Sequence, residues 1–296
     1  MDKFTQYQTF CSVIETGSFV NAAAELGMSK AAVSRYVSEL ENHLRVRLLQ
    51  RTTRRMSLTE EGELFYARCR SLLSEIDEAE NEVSSRSQEV SGQLRVNVPV
   101  SFGIRYLARL WHGFHELYPG VRLDITLSDR VVDLVDDGYD LAIRIARLSS
   151  SSLVSRQLSS TRMVLCAAPG YLEKYGRPQQ PLDLTRHKTI SYSYWAEGNE
   201  WRFDGPEGPV SVTIKPWMSS NNGETCIAMA LNDQGILLQP SFLVNEEIVK
   251  GSLVELLPQY RSLRLGIYAV YPSRKHVPSK TRVLVDFLLE NLKDLP

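Results

Sequence analysis

The sequence predicts an α/β chain headed by an all-α winged helix-turn-helix and completed by a two-lobed C-terminal α/β domain. Three observations carry this expectation. Residues 19–44 show two short helical periodicities broken at Gly27. Positive charge is concentrated in residues 1–58, where eight Lys/Arg against five Asp/Glu give a local +3 in a chain whose total is −1. From residue 92 onward, alternating apolar strands take turns with amphipathic helices.

Phe19, Ala22, Ala23 and Leu26 recur at i, i+3, i+4 and i+7, and Val33, Val37, Leu40 and Leu44 line the inner face of a second helix. Small alanines let the two helices pack closely, Gly27 supplies the turn, and Ser29 is placed to cap the second helix. The outer face of that helix carries Lys30, Ser34, Arg35 and Ser38. A helix N-terminus with cations and hydroxyls along one side suits phosphates and the major groove. An ordinary helical hairpin with a solvated polar face has the same periodicity, so the next segment decides. Arg45, Arg47, Arg51, Arg54 and Arg55 fall within eleven residues that hold no acid. Residues 48–58 read as a two-stranded wing that carries arginines toward phosphates or the minor groove. The expected DNA contacts are Ser29, Lys30, Ser34, Arg35, Ser38, Arg51, Thr52, Arg54 and Arg55.

These residues resemble the N-terminal module of LysR-type transcriptional regulators. The likeness runs through Phe10, Gly17-Ser18-Phe19, Ala22-Ala23, Leu26, Ser29, Ala32-Val33-Ser34, Leu40-Glu41, Leu44, Leu48, Arg51, Arg54 and Leu58-Thr59-Glu60-Glu61-Gly62. Three positions depart from the family's usual pattern: Lys30 where glutamine is common, Arg45 where glycine is common, and Leu49 where phenylalanine is common. The first bears on base preference and the second on the end of the recognition helix.

At 296 residues, 43% hydrophobic and 23% charged, the chain is long enough for two or three cores of ordinary composition. It opens Met-Asp-Lys-Phe without an apolar leader, and no window approaches the roughly 18 apolar residues needed to cross a bilayer. A cytoplasmic protein is expected. Cys11, Cys69, Cys166 and Cys226 have neither metal-ligand spacing nor the density of a disulfide framework. Buried single thiols are expected, with a redox link between Cys166 and Cys226 as the alternative.

Thr59 is placed to cap a long helix whose first turn holds Glu60 and Glu61, and apolar residues recur at Phe65, Cys69, Leu72, Ile76, Ala79 and Val83. Steps of four and three make a coiled-coil seam, and the remaining faces are acidic, with nine Asp/Glu against three Lys/Arg over residues 59–92. A dimer seam is expected, against the alternative of a helix packed on its own domain. In the resembled family this helix pairs two subunits.

Ser91-Gly92 marks the next boundary. Strands are expected at residues 94–98, 121–127, 141–145, 163–168, 236–239 and 265–271, helices at 104–117, 131–137, 223–233 and 278–292, and a wide hairpin around residues 204–209. Repeated strand–helix–strand units imply a parallel sheet. The resemblance continues more loosely through Pro169-Gly170-Tyr171-Leu172, Pro181-Leu182-Asp183-Leu184, Ser220-Asn221-Asn222-Gly223-Glu224 and Gly235-Ile236-Leu237-Leu238-Gln239-Pro240. It implies an effector-binding domain built like a periplasmic binding protein, with the chain crossing between lobes near Ser160 and Gly266. The expected organisation is a DNA-binding domain at 1–58, a linker helix at 59–91 and an effector domain at 92–296. Lobe I would take 93–161 and 267–296, and lobe II 162–266.

Open α/β lobes bind ligands beyond strand C-termini, opposite helix N-termini. That rule selects Ser101 and Phe102 after the first strand, and Ser219 and Asn221 before the helix at Gly223. The serines serve equally well as helix caps. Arg144 and Arg147 stand at and beyond the end of a strand aimed at the same cleft, so the set suits a small organic acid. Trp195, Trp201 and Phe203 either wall that cleft or fill the hairpin's own core. There is no G-x-S-x-G, Walker loop, G-x-G-x-x-G or H-E-x-x-H, and His112 and His115 read as surface residues. No catalysis, metal or cofactor is expected. The function expected is a homodimeric or homotetrameric regulator that binds an inverted repeat in double-stranded DNA and responds to a small, anionic effector. The competing class is a solute-binding or enzymatic α/β protein with a helical N-terminal extension. A nonspecific nucleoid protein would need more positive charge than −1 provides.

Overall fold

A computed structural model describes residues 2–51, 56–84, 90–147, 154–272 and 277–293. Contacts divide the chain into two units, residues 1–89 with 133–138 and residues 90–132 with 139–296.

The N-terminal unit starts three helices with three polar caps. Asp2 accepts from Phe4 N at 3.0 Å to open α1 (Lys3–Glu15), Ser18 accepts from Val20 N to open α2 (Phe19–Glu25), and Ser29 accepts from Ala32 N at 3.1 Å to open α3 (Lys30–Leu44). Each satisfies an N–H that a helix start leaves free. Gly27, at φ +63°, makes the turn between α2 and α3. Phe10, Val13, Ala22, Val33, Val37 and Leu40 close into one buried core. α3 ends on Arg45 in the left-handed conformation, φ 56° and ψ 29°.

Beyond that end, β1 (Leu49–Arg51) and β2 (Met56–Leu58) pair antiparallel with Leu49 opposite Leu58, which is the wing. Buried Glu41 fastens it to α3: its Oε1 accepts the N–H groups of Leu48 at 2.9 Å and Leu49 at 3.1 Å. Thr59 then caps α4 (Glu60–Ser84), donating to the Arg47 carbonyl at 2.6 Å and accepting from Gly62 N at 2.9 Å. A Cβ at Gly62 would overlap the Leu48 carbonyl, so only glycine lets α4 start this close to the wing.

The apolar stripe of α4 has two destinations, where the sequence predicted one. Phe65 packs on Tyr7 and Phe10 of α1, with ring centroids 5.7 and 5.8 Å apart, and Cys69 is buried in the same core. Those two positions belong to the module itself, because helical spacing marks an apolar face without saying what covers it. Leu72 and Ile76, one and two turns on, are 50% and 39% exposed. The side chains of Ala79 and Val83 lie outside the described set. Cys11 and Cys69 meet across α1 and α4. The neighbouring Cys69 thiol and burial together lift the Cys11 thiol far above the usual range.

The C-terminal unit opens with β3 (Gly92–Val98), α5 (Val100–Phe102), a π-turn at Gly103–Leu107, and α6 (Trp111–Leu117). The continuous helix expected over 104–117 is therefore broken. Ala108 N donates to the Gly103 carbonyl at 2.8 Å, one residue further back than α geometry requires. β4 (Val121–Leu127) and β5 (Leu141–Ala146) follow. Residues 134–138 form turns and not the predicted helix: Asp133 Oδ1 accepts from Val135 N and Asp136 N as a helix cap does, but only Asp137 N returns to the Asp133 carbonyl, at 2.9 Å, before Gly138 at φ +69° ends the turn. β6 (Val154–Ala167) is longer than the strand expected at 163–168.

The second half holds α7 (Pro169–Tyr175), a 3₁₀ turn at Pro181–Arg186, β7 (Thr189–Tyr192), β8 (Glu200–Gly205) and β9 (Gly208–Thr213). The β8–β9 hairpin is tight, with Gly205 opposite Gly208. β10 (Met218–Ser220), α8 (Gly223–Leu231), β11 (Ile236–Pro240), α9 (Ser241–Val249), β12 (Val254–Glu255), β13 (Arg261–Ser262), β14 (Arg264–Tyr271) and α10 (Ser279–Asn291) complete it.

One sheet runs β10-β7-β11-β6-β14-β5-β3-β4. At one end β4, β3 and β5 are parallel; at the other β10, β7 and β11 are parallel. The antiparallel pair β6 and β14 joins them. The first part of β6 pairs with β14, from Val154 opposite Tyr271 to Arg162 opposite Arg264, and its last part, Met163 to Cys166, pairs with β11. β6 thus carries the chain from one parallel lobe to the other, and β14 brings it back.

Candidate functional site

On α3, Val33, Val37 and Leu40 face the core, which leaves Lys30 and Arg35 exposed and Ser34 and Ser38 half-buried on the side away from it. Arg35 lies 3.9 Å from the Glu39 carboxylate and over the Tyr36 ring, contacts too weak on an exposed helix to hold it from a phosphate. Ser29 Oγ is engaged as the cap of α3. Arg51 lies in β1 with its side chain outside the described set, and Thr52, Arg54 and Arg55 are outside the described residues altogether.

The C-terminal unit holds a cavity of about 320 Å³ beyond the C-terminal ends of the parallel strands of both lobes. Ser101 and Phe102 follow β3, Ser128 and Asp129 follow β4, Arg144 lies near the end of β5 and Arg147 just beyond it. From the other lobe come Tyr192 at the end of β7 and Trp195 after it, Gln239 on β11, Phe242 and Leu243 on α9, and Gly223 at the start of α8. A Cβ at Gly223 would stand 2.8 Å from Leu243 Cδ1, so glycine lets α8 begin against the wall.

Four polar side chains of the lining bear on what this cavity can hold. The Arg144 guanidinium donates to the carbonyls of Val132 at 3.1 Å and Arg130 at 3.3 Å and to Asn97 Oδ1 at 3.5 Å, and it has no carboxylate partner among the described residues. Burial pulls its pKa below the ordinary arginine value. Gln239 is 3% exposed, and its Nε2 has no acceptor; Trp195 Nε1 is also buried without one. Such groups are costly to bury unless something completes them. Opposite in character is Asp129, whose Oδ1 accepts from Val100 N at 3.0 Å and whose pKa burial pushes above the ordinary carboxylate value.

Of the six effector residues expected from sequence, Ser101, Phe102, Arg144 and Arg147 line this cavity, whereas Ser219 and Asn221 do not. Both of the latter are exposed. The neighbouring Asn222 caps α8, accepting from Thr225 N at 3.0 Å. Trp195 and Trp201 reach the cavity, while Phe203 is buried under the hairpin. Sequence reasoning missed Asp129, Tyr192, Gln239 and Phe242. Gln239 did leave a signal: it is the one polar residue in the apolar strand Ile236-Leu237-Leu238-Gln239.

Residues 4–63 match the family model for bacterial regulatory helix-turn-helix proteins of the lysR family, and residues 87–293 match the model for the LysR substrate binding domain. The chain belongs to the LysR family. It is 38% identical to an uncharacterized HTH-type transcriptional regulator of Haemophilus influenzae, over 95% of this chain and 97% of that one. With the HTH-type transcriptional activator AaeR of Escherichia coli it shares 35% identity, over 98% and 94%. The structure of CrgA, a LysR-type transcriptional regulator from Neisseria meningitidis, superposes with a TM-score of 0.63 at 35% identity, covering 98% of this chain and 99% of CrgA. This LysR-family chain is a helix-turn-helix transcriptional regulator with a substrate-binding domain. Among its described residues no helix is long and apolar enough to cross a membrane.

Proposed function

We propose that this regulator binds an inverted-repeat site as a homodimer or homotetramer in the cytoplasm, and that a small organic acid in the C-terminal cavity changes how it holds DNA. The observation that carries the effector reading is Arg144, a half-buried cation on the cavity wall with no carboxylate partner among the described residues. An anion supplies that partner. Ser101, Phe102 and Arg147 are assigned to the same ligand. On the DNA side, Lys30, Ser34, Arg35 and Ser38 are assigned to the major groove, Ser29 to the helix start that meets a phosphate, and Arg51, Thr52, Arg54 and Arg55 to the wing. Exposed Leu72 and Ile76 on α4 are assigned to the subunit seam. The domains follow as 1–58 for DNA, 59–91 for pairing and 92–296 for the effector.

A gel shift on the chain's own upstream DNA, with and without benzoate as a simple anionic probe, tests the reading. Binding that responds to benzoate in the wild type and not in Arg144→Gln supports it. Binding indifferent to every carboxylate tried would remove the effector assignment.

A further inference from the structure

We infer that the cavity selects a carboxylate that also carries a hydrogen-bond donor, hydroxyl or ammonium, separate from its acid group, and that Asp129 is the acceptor for that donor. This deepens the effector reading and rests on it.

Two opposite charges line this cavity without meeting. Arg144 has no carboxylate partner among the described residues, and Asp129 has no basic one. The Arg144 guanidinium reaches the Arg130 carbonyl at 3.3 Å, one residue beyond Asp129, without pairing with the Asp129 carboxylate.

Asp129 uses Oδ1 on Val100 N and has no donor for Oδ2 among the described residues. A half-buried carboxylate with no cation beside it is the counterpart of Arg144, with the opposite need. A plain acid would satisfy the arginine, seal off Asp129 from water and bring a second negative charge toward it. A ligand with an acid group and a separate donor gives each of the two charges a partner. A site built to hydrogen-bond a particular group rejects analogues lacking it far more strongly than an apolar pocket rejects a methylene.

Size and lining define the body of the ligand. Phe102, Tyr194, Trp195 and Phe242 supply aromatic surface to the same cavity. A cavity of about 150 Å³ accepts benzene, so 320 Å³ has room for a ring with a substituent at each end.

Titration calorimetry of the full chain with 4-ethylbenzoate, 4-(hydroxymethyl)benzoate and 4-(aminomethyl)benzoate tests this, because the three differ in the para group and hardly in size. The two donor-bearing acids should bind the wild type about tenfold tighter than the ethyl compound. Asp129→Ala should erase that preference. Asp129→Asn keeps an oxygen for Val100 N and so guards against loss of fold; it should retain the preference for the hydroxymethyl acid and lose it for the aminomethyl acid. Equal or tighter binding of 4-ethylbenzoate to the wild type, or a preference that survives in Asp129→Ala, would overturn the inference while leaving the cavity a carboxylate site. If none of the three binds the wild type, the carboxylate reading falls with it.

Discussion

Arg45→Gly should stabilise the N-terminal module. Arg45 is exposed and closes α3 at φ 56° and ψ 29°, with its N–H donating to the Glu41 carbonyl. A side chain in this region costs roughly 1–2 kcal/mol from the approach of Cβ to the following carbonyl. Glycine removes that cost but gives the unfolded chain more freedom, worth about 0.4–1 kcal/mol in the other direction. The difference is a net gain of about 0.5–1 kcal/mol, or about 2–8 °C in the melting of a module this small. All four tryptophans lie beyond residue 110, so their fluorescence does not report on this module. Hydrogen exchange of the α3 amides does. Slower exchange across residues 33–44 in the variant is expected. Faster exchange would show that the arginine holds this helix end by contacts that outweigh its backbone strain.

Three further outcomes follow from the same unit. Gly62→Ala forces a methyl group into the Leu48 carbonyl and should cost about 1–3 kcal/mol, read as a lower melting temperature and weaker DNA binding; an unchanged melting point would mean that α4 and the wing are less tightly joined than Thr59 and Gly62 indicate. Leu72→Asp with Ile76→Asp should yield monomers by sedimentation equilibrium without unfolding the module, because both positions are exposed on α4; an intact dimer would move the seam elsewhere. Lys30→Gln should shift selection from guanine toward adenine at one base of each half-site, by about 1–3 kcal/mol, since lysine offers only donors while glutamine can pair with adenine N6 and N7. Identical preferred sites from a randomised library would assign Lys30 to the phosphate backbone.

The helix-turn-helix was legible because it is built from local rules: helical spacing at Val33, Val37 and Leu40, a serine cap and a glycine turn all act within a few residues. The elements misread are those decided by partners far along the chain. The first half of β6, Ser155-Arg156-Gln157, looks like a polar loop, yet pairing with β14 makes it a strand. Residues 131–137 have apolar spacing suited to a helix, but the backbone makes one turn from the Asp133 cap and Gly138, at φ +69°, ends it. Phe65 and Cys69 fit a seam by spacing and a core by contact, and only the position of α1 separates the two. At the cavity, the rule that ligands sit beyond strand ends located Ser101, Phe102, Arg144 and Arg147. It misplaced Ser219 and Asn221, because the stretch from Ser219 to Asn222 spends its polar groups on starting α8 and presents Gly223 to the cavity instead.

Quantitative footprinting on the chain's own upstream DNA, with and without 4-(hydroxymethyl)benzoate, tests the central claim most directly, that one cavity governs how two helix-turn-helix modules hold one operator. The account predicts protection over two half-sites related by a two-fold axis, and a change in that pattern when the acid is present. Arg144→Gln should keep the protection and lose the change. Protection that never responds to the acid, or that responds equally in Arg144→Gln, would contradict it.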